Sequence, residues 1–265
     1  MKRILITGEG SYIGSMFTKW LEQWPGDYIV DEISVRGDEW KDADFSSYDT
    51  VFHVAGIAHR KETKENRDLY YEVNRDLAIE TAIKAKEDGV RQFIFLSTMS
   101  VYGMETGVIT KETKPDPKNT YGQSKLEAEQ IINKLDSKFF RVVVLRPPMV
   151  YGEKSPGNYQ LLIKFAKMSP IFPDYKNKRS MIYINTLSEF VRQIITGKDR
   201  GLFHPQDDQY MRTTNMIKNI AKNNNEKIKL IKIFNPFIKL ALFLNISTVN
   251  KVFGDLIYVK GELDS

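Results

Sequence analysis

The stretch that decides the fold is a glycine-rich turn close to the N-terminus, which reads Thr7-Gly8-Glu9-Gly10-Ser11-Tyr12-Ile13-Gly14. A β-branched run, Arg3–Thr7, leads into it, and apolar residues recur at three- and four-residue spacing after Tyr12. This order predicts a strand, a tight turn and a helix. Glycines in such a turn let the backbone approach a pyrophosphate, whose charge then lies at the N-terminus of the helix. The segment therefore predicts a βα unit that binds phosphate.

The same alternation of strand and helix continues outward from this turn. The later predicted strands are Ile29–Val35, Thr50–Val54, Gln92–Leu96 and Arg141–Leu145. Further helices are predicted from Tyr71 to Asp88 and from Tyr121 to Leu135, the latter with Leu126, Ile131 and Leu135 facing inward. Short strands separated by amphipathic helices are typical of a parallel sheet with crossover helices. We predict an α/β fold with a Rossmann-type, doubly wound parallel sheet.

Composition excludes several other classes of protein. The chain has 265 residues, 42% of them hydrophobic, with 39 Lys+Arg against 34 Asp+Glu and a net charge of +5. The absence of cysteine excludes a disulfide scaffold, a thiolate zinc site, an iron–sulfur cluster and a cysteine nucleophile. With only three histidines, we expect no metal site. The mild basic excess suits an anionic small molecule better than a nucleic acid.

The apolar runs are short. Ile4-Leu5-Ile6 falls below the roughly 7–15 residues of a signal-peptide core, and Leu240–Leu244 falls below the roughly 20 residues of a membrane span. We therefore expect a cytoplasmic protein with no membrane span. The stretch Pro236–Leu244 predicts an apolar helix that packs in the core; a dimer contact and a membrane surface are the alternatives.

A tyrosine and a lysine lie four residues apart in Tyr121-Gly122-Gln123-Ser124-Lys125, so they share one face of the third predicted helix. A phenol with a pKa of about 10 is a poor base at neutral pH, and an ammonium one turn away favours its phenolate. Such a tyrosine can take a proton from a hydroxyl or return one to a carbonyl while hydride moves to or from a nicotinamide. Tyr121 and Lys125 are therefore candidate catalytic residues.

Together these motifs resemble the extended short-chain dehydrogenase/reductases, and within them the NAD-dependent epimerase/dehydratase (nucleotide-sugar) family. The glycine-rich turn is similar to that family's Thr-Gly-x-x-Gly-(aromatic)-Ile-Gly, except that Ser11 stands in place of the middle glycine and Gly10 comes one residue early. The resemblance implies that NAD or NADP is bound. The cofactor-binding residues it implies are Gly8, Gly10, Ser11, Tyr12, Ile13, Gly14, Ala55, Gly56, Lys125 and Pro148.

The resemblance also implies the remaining site residues. Phe93–Gly103 is similar to the strand that carries the family's catalytic hydroxyl, which is Thr98 in this register, and Val73-Asn74 is similar to the segment that buttresses the active-site strands. Predicted contacts with substrate are Ser100, Asn158 and Arg179, of which Arg179 would pair with a phosphate. The resemblance divides the chain into an NAD(P)-binding Rossmann domain, 1–152, and a small substrate-binding lobe, 153–265, part of which can complete the sheet.

The choice between NAD and NADP depends on the residues after the second strand. Dinucleotide folds usually place an acidic residue there, on the adenosine ribose. This chain has Ser34-Val35-Arg36 instead, and Arg36 is a candidate for binding a 2′-phosphate.

The resemblance implies oxidoreduction at C4 of a nucleotide-diphosphate sugar, with UDP as the expected nucleotide. Met149 stands where UDP-galactose 4-epimerases carry asparagine, and the lobe is short, as in a subgroup found with polysaccharide genes. These features and Arg36 favour a 4-ketoreductase slightly over a UDP-hexose 4-epimerase with tightly bound NAD. A 4,6-dehydratase is disfavoured because Met99-Ser100 replaces that group's Asp-Glu pair. A non-catalytic NAD(P) sensor is the alternative from another class, and a homodimer is possible.

Overall fold

The computed structural model describes residues 1–58 and 62–261, and it contains a six-stranded parallel sheet with helices on both faces. The strands are Lys2–Thr7 (β1), Tyr28–Ile33 (β2), Thr50–His53 (β3), Gln92–Leu96 (β4), Gly107–Ile109 (β5), Arg141–Leu145 (β6), Met149–Tyr151 (β7), Ile171–Pro173 (β8), Met181–Tyr183 (β9), Gly201–Phe203 (β10), Lys229–Ile231 (β11) and Leu256–Tyr258 (β12). The α-helices are Tyr12–Leu21 (α1), Arg67–Tyr71 (α2), Leu77–Glu87 (α3), Thr120–Ile132 (α4), Asn158–Met168 (α5), Ile184–Gly197 (α6), Thr213–Asn223 (α7), Asn235–Phe243 (α8) and Ser247–Phe253 (α9).

The strand order of the central sheet is β10-β6-β4-β3-β1-β2. The chain moves from β1 to β2 on one side and then returns to β3 on the other, so the order reverses beside β1. In a parallel sheet this reversal opens a crevice at the carboxyl ends of the strands. Thr7 pairs with His53 and His53 with Phe95, which aligns the ends of β1, β3 and β4 at one edge. The predicted Rossmann-type fold is confirmed.

The sheet is buried on both faces, which explains why its strands are nearly continuous apolar runs. Successive side chains of a strand point to opposite faces. Phe93 and Phe95 of β4 accordingly pack beneath α3 and α4, while Ile94 packs on the other face against α1 and α6. The two layers hold the strand ends at fixed positions.

Helix boundaries differ from the predicted ones for local reasons. The second helix begins at Arg67 rather than Tyr71, and a π turn, Glu72–Asp76, joins α2 to α3. The third begins at Thr120, where the Asn119 side chain accepts a hydrogen bond from the Gly122 amide at 2.7 Å. Within it the prediction for Ile131 was wrong: that side chain is exposed, and its neighbour Ile132 is buried. A shift of one residue turns a side chain by about 100° around a helix.

The second half of the chain contributes to both layers. β10 pairs with β6 at the edge of the central sheet, and α6 packs against α1 through Leu187 and Val191. Three short parallel pairs build the lobe: β7–β9 and β8–β11 pack around a separate core that includes Met181 and Ile217, and β5–β12 packs in another cluster, which includes Tyr258. Each of these strands has three residues.

α8 occupies the stretch predicted as an apolar helix, but the expectation that it packs in the core was wrong. Of its residues only Ile238 is buried, whereas Phe237, Leu240 and Phe243 are 69%, 56% and 85% exposed. Among the described residues, no helix combines the length and apolar character that crossing a bilayer requires.

Candidate active site

The glycine-rich turn lies directly against the end of β3. Gly8 has φ +123°, and a Cβ added there would lie 2.8 Å from the backbone nitrogen of Ala55. Any side chain at Gly8 would thus collide with main-chain atoms, which have no room to move. The close approach joins the glycine turn to Ala55, a predicted cofactor-binding residue that directly precedes another, Gly56.

Ser11, which replaces the usual middle glycine, is the N-cap of α1. Its Oγ accepts a hydrogen bond from the Gly14 amide at 3.2 Å, which satisfies one of the helix's unpaired amides. The first-turn amides of Tyr12 and Ile13 have no acceptor within a helix and are available to an anion. The first turn of α1 carries no acidic residue that would repel one. These features fit a dinucleotide pyrophosphate.

A carboxylate also reaches this turn, and the sequence analysis missed it. Glu32 of β2 accepts hydrogen bonds from the Gly10 amide at 3.1 Å and from Thr18 Oγ1 at 3.0 Å. An acidic residue is expected at the end of the predicted second strand, where this chain has Ser34-Val35-Arg36. The parallel pairing places Ile33 opposite Thr7, and the side chain of the preceding residue reaches back to the glycine turn. Arg36 is exposed in the following loop.

Thr98 and Tyr121 meet at the carboxyl end of β4. Thr98 is the second residue after β4, and its Oγ1 accepts a hydrogen bond from the Ser100 amide at 3.1 Å. Burial raises the pKa of Tyr121, and a hydrogen bond with the Thr98 side chain opposes that shift only in part. The phenol is therefore protonated at neutral pH. The sequence led us to expect that Lys125 lowers the pKa of Tyr121. Burial instead raises it, and this effect outweighs the hydrogen bond with Thr98.

Lys125 is buried one helical turn beyond Tyr121. Its Nζ donates a hydrogen bond to the Leu96 carbonyl at 3.0 Å and lies 4.6 Å from the centre of the Phe95 ring. Burial lowers its pKa to about 8, while the Glu129 carboxylate acts in the opposite direction. Lys125 is thus close to the point of losing its charge at mildly alkaline pH.

The loop after β3 is held beside Lys125 by Asn74, which lies in the π turn. Its side-chain amide accepts from the Ile57 nitrogen at 2.8 Å and donates to the Ile57 carbonyl at 3.0 Å. A Cβ on Gly56 would lie 2.9 Å from Asn74 Oδ1 and 3.3 Å from Lys125 Nζ. Asn74 therefore fixes the glycine segment that faces the lysine ammonium, and π turns are often found at functional sites.

Behind these residues lies a buried polar network that the sequence did not reveal. Arg146 forms a two-pronged ion pair with Glu129, one helical turn after Lys125, and also donates to the Tyr102 hydroxyl at 2.8 Å. Ser97 donates a hydrogen bond to Glu129, and the Tyr102 hydroxyl lies 2.8 Å from His204 Nε2. The network ties α4 to the ends of β4 and β6, which Ser97 and Arg146 directly follow. The one sequence signal for this network was the four-residue spacing of Lys125 and Glu129, which places Glu129 on the same helix face as the predicted catalytic lysine.

Other predicted residues lie at varied distances from this cluster. The segment before Pro148 runs beside the segment that carries Thr98, since the Met99 amide donates a hydrogen bond to the Pro147 carbonyl at 2.9 Å. The side chain of Asn158 lies outside the part of the chain that the structure describes. The Arg179 guanidinium donates to the carbonyls of Asn250 at 3.3 Å and Gly254 at 3.0 Å, at the end of α9. The structure thus does not join Arg179 to Tyr121, and its contact with phosphate stays a prediction.

Comparison with known proteins places this geometry in context. A family model described as "NAD dependent epimerase/dehydratase family" matches residues 4–207. A UDP-glucose 4-epimerase of Vibrio cholerae is 30% identical over 83% of this chain and 75% of that protein. The N-acetyl-alpha-D-glucosaminyl-diphospho-ditrans,octacis-undecaprenol 4-epimerase of Escherichia coli O157:H7 is 24% identical over 85% of this chain and 73% of its own length.

Solved structures share the fold at lower identity. A dTDP-4-dehydrorhamnose reductase from Clostridium acetobutylicum superposes with a TM-score of 0.70 and 20% identity, over 87% of this chain and 83% of that one. A UDP-glucuronic acid 4-epimerase from Bacillus cereus, in complex with NAD, also gives a TM-score of 0.70 with 20% identity, over 87% of each chain. A dTDP-4-dehydrorhamnose reductase from Bacillus anthracis, in complex with NADP, gives a TM-score of 0.69 with 21% identity, over 89% of this chain and 86% of that one.

Proposed function

The chain belongs to the NAD dependent epimerase/dehydratase family, and we propose that it inverts the configuration at C4 of a diphosphate-linked sugar through a 4-keto intermediate. The observation that carries this proposal is the meeting of Thr98, Tyr121 and Lys125 at the same sheet edge as the glycine turn. Two relatives named as 4-epimerases support the type of reaction. Glu32 beside Gly10 supports NAD, since a carboxylate suits ribose hydroxyls and repels a 2′-phosphate.

The chemistry divides between the bound cofactor and the side chains. NAD held by the glycine turn and Lys125 would supply the hydride acceptor for oxidation at C4 and the hydride donor for the return to the hydroxyl. Tyr121 exchanges the hydroxyl proton: as a base it accepts the proton when the ketone forms, and as an acid it returns the proton when the hydroxyl is restored. Thr98, hydrogen-bonded to the phenol, holds the reacting oxygen and stabilises charge that develops there.

Lys125 supplies the positive charge that base catalysis requires. Burial raises the pKa of Tyr121 and so favours the neutral phenol, whereas the first step, formation of the ketone, requires the phenolate as a base. The Thr98 hydrogen bond favours the phenolate, and the Lys125 ammonium, which the Leu96 carbonyl and the Phe95 ring hold on the next turn of α4, would add to this effect. Lys125 is also the residue that would bind the nicotinamide ribose, beside Gly56.

A 4-ketoreductase is the second candidate, and Arg36 is the observation that favours it. This arginine is exposed in the loop after β2, from which a guanidinium can pair with a 2′-phosphate. Met149 gives less support than the sequence implied, because its side chain packs against the core of the lobe.

A turnover assay separates the two reactions. The purified protein is incubated with UDP-glucose, UDP-N-acetylglucosamine or a polyprenyl-diphosphate-linked N-acetylglucosamine, without added cofactor, and the sugars are separated after hydrolysis. The last compound is included because the carrier named for the Escherichia coli relative is of this class. The C4 epimer should appear with no accumulation of reduced cofactor, and Tyr121→Phe should abolish it. Stoichiometric oxidation of NADPH with a 4-keto sugar nucleotide, and no epimer, would assign the reductase instead.

A further inference from the structure

α8 and its flanks carry an apolar surface that faces away from the protein. We define the basic apolar face as the exposed side chains of residues 232–246. Ile233 is 71%, Leu244 60% and Phe243 85% exposed, and the outward positions recur at helical spacing. α7, in the same lobe, has the opposite arrangement: its apolar Ile217 is buried, and its Lys218 is exposed. A helix of a soluble protein normally resembles α7, so the outward apolar side of α8 needs a partner.

The charged residues of the segment that carries this surface have a single sign. Residues 227–253 contain five lysines and no aspartate or glutamate. Lys232 and Lys239 are exposed among the apolar side chains, whereas Lys251 pairs with Glu105 at 3.3 Å. A partner that fits the basic apolar face therefore has both an apolar surface and negative charge.

A second copy of the chain fits this surface poorly. In a symmetric dimer the same patch contacts itself, so Lys232 and Lys239 of one copy would approach those of the other. An anionic lipid bilayer has both required properties. Phenylalanine and leucine side chains enter the boundary between headgroups and acyl chains, and lysines attract anionic headgroups. Nine residues of helix are far too few to span the hydrocarbon, so α8 would lie along the surface.

The face is presented by a fixed element rather than by a loose tail. The Asn235 side chain donates to the Asp174 carbonyl at 3.0 Å, and Asn250 donates to Asn245 Oδ1 at 2.6 Å. Ser247 donates to the Glu105 carboxylate at 2.6 Å. These bonds hold α8 and α9 on the lobe while leaving the outward side chains free. We propose that the basic apolar face docks the protein onto an anionic membrane surface.

The test uses the intact protein and vesicles, without substrate. Wild type is sedimented with vesicles of phosphatidylcholine alone and of phosphatidylcholine containing about one third phosphatidylglycerol. It should bind the second kind, and added salt should weaken binding because counterions screen the lysines. The double variant Lys239→Glu/Phe243→Ser should bind roughly tenfold or more weakly.

Lys138→Glu/Phe139→Ser is the matched control, since Phe139 is 79% exposed and its neighbour Lys138 is exposed on another surface. It should bind vesicles like wild type. Both substituted pairs are exposed, so both variants should melt like wild type. Wild type that stays in solution with anionic vesicles would overturn the proposal. So would equal loss in the control, or light scattering showing a dimer that only the α8 variant breaks. Because no turnover is measured, failure of the proposed reaction would leave this result unaffected.

Discussion

The sheet edge that holds Tyr121 and the lobe that holds Arg179 bury polar side chains for different purposes. At the sheet edge, the buried side chains of Lys125, Asn74 and Glu129 bond the chain at and just after the strand ends and so fix it in place. In the lobe, Arg179 is turned onto the carbonyls that end α9, where it fastens one helix to the fold. Tyr121 and Lys125 are thus placed by short-range spacing on one helix, whereas the charged side chain of Arg179 in the lobe serves to pack α9 onto the fold.

The largest expected effect is a loss of turnover without a loss of cofactor. Tyr121→Phe should lower turnover by roughly 100- to 10,000-fold, because the acid/base hydroxyl is lost while the ring still packs on Tyr70. Cofactor content should not change. Tyr151→Phe in the lobe, which removes only a hydrogen bond to Asp207, is the control and should cost far less. Equal losses in the two variants would contradict the division between the regions.

The second prediction concerns stability. Glu129→Gln leaves Arg146 buried with an unpaired charge, and breaking a buried pair costs about 3–5 kcal/mol in the free energy of unfolding. Asp174→Asn, which breaks the partly exposed pair with Arg212 in the lobe, should cost less than about 1 kcal/mol. Urea unfolding measures both. A small loss at Glu129 would mean that the network does not hold the site together.

The third prediction is a pH dependence. The pKa of Lys125 is lowered to about 8, so its ammonium is present below that pH and is lost above it. If the charge assists Tyr121, kcat/KM should fall as the pH rises through 8, whereas Lys125→Arg should remove this alkaline limb because a guanidinium stays charged. Activity that instead increases from pH 8 to 9.5 would show that deprotonation of Tyr121 controls the rate.

The smallest effect concerns cofactor choice. Glu32→Gln removes the carboxylate beside Gly10 and should shift preference toward NADP(H) by roughly tenfold, or ~1.4 kcal/mol. Fluorescence titrations with NADH and NADPH measure the ratio. Arg36→Ala is the comparison: it should leave NADH binding unchanged. A strong loss of NADPH binding in an otherwise NADP-preferring protein would favour the reductase.

Local patterns in the sequence predicted the sheet edge around Tyr121 well. β4 and β6 have the predicted ends, since buried parallel strands are unbroken apolar runs between polar residues. The Tyr121–Lys125 spacing predicted a shared helix face for the same local reason. Glu32 was missed because strand register, which no local pattern records, brings it to the glycine turn.

The lobe was predicted poorly because its contacts are long-range. Its strands have three residues each, too few for a period to show, and they pair with distant partners such as β5 with β12. The Arg146–Glu129 pair likewise depends on two elements meeting in space. α8 has the composition of a core helix, and only the assembled fold shows that its apolar side chains face outward.

The central claim is that the sheet edge holds NAD for chemistry by Tyr121, and the cofactor content of the purified protein tests it most directly. The protein is denatured, and NAD(H) and NADP(H) in the supernatant are quantified by enzymatic cycling. About one NAD per chain is expected, because a cofactor that is reoxidised within each turnover stays bound. Protein that releases neither cofactor, and whose titration with NADH or NADPH gives no fluorescence change, would contradict it.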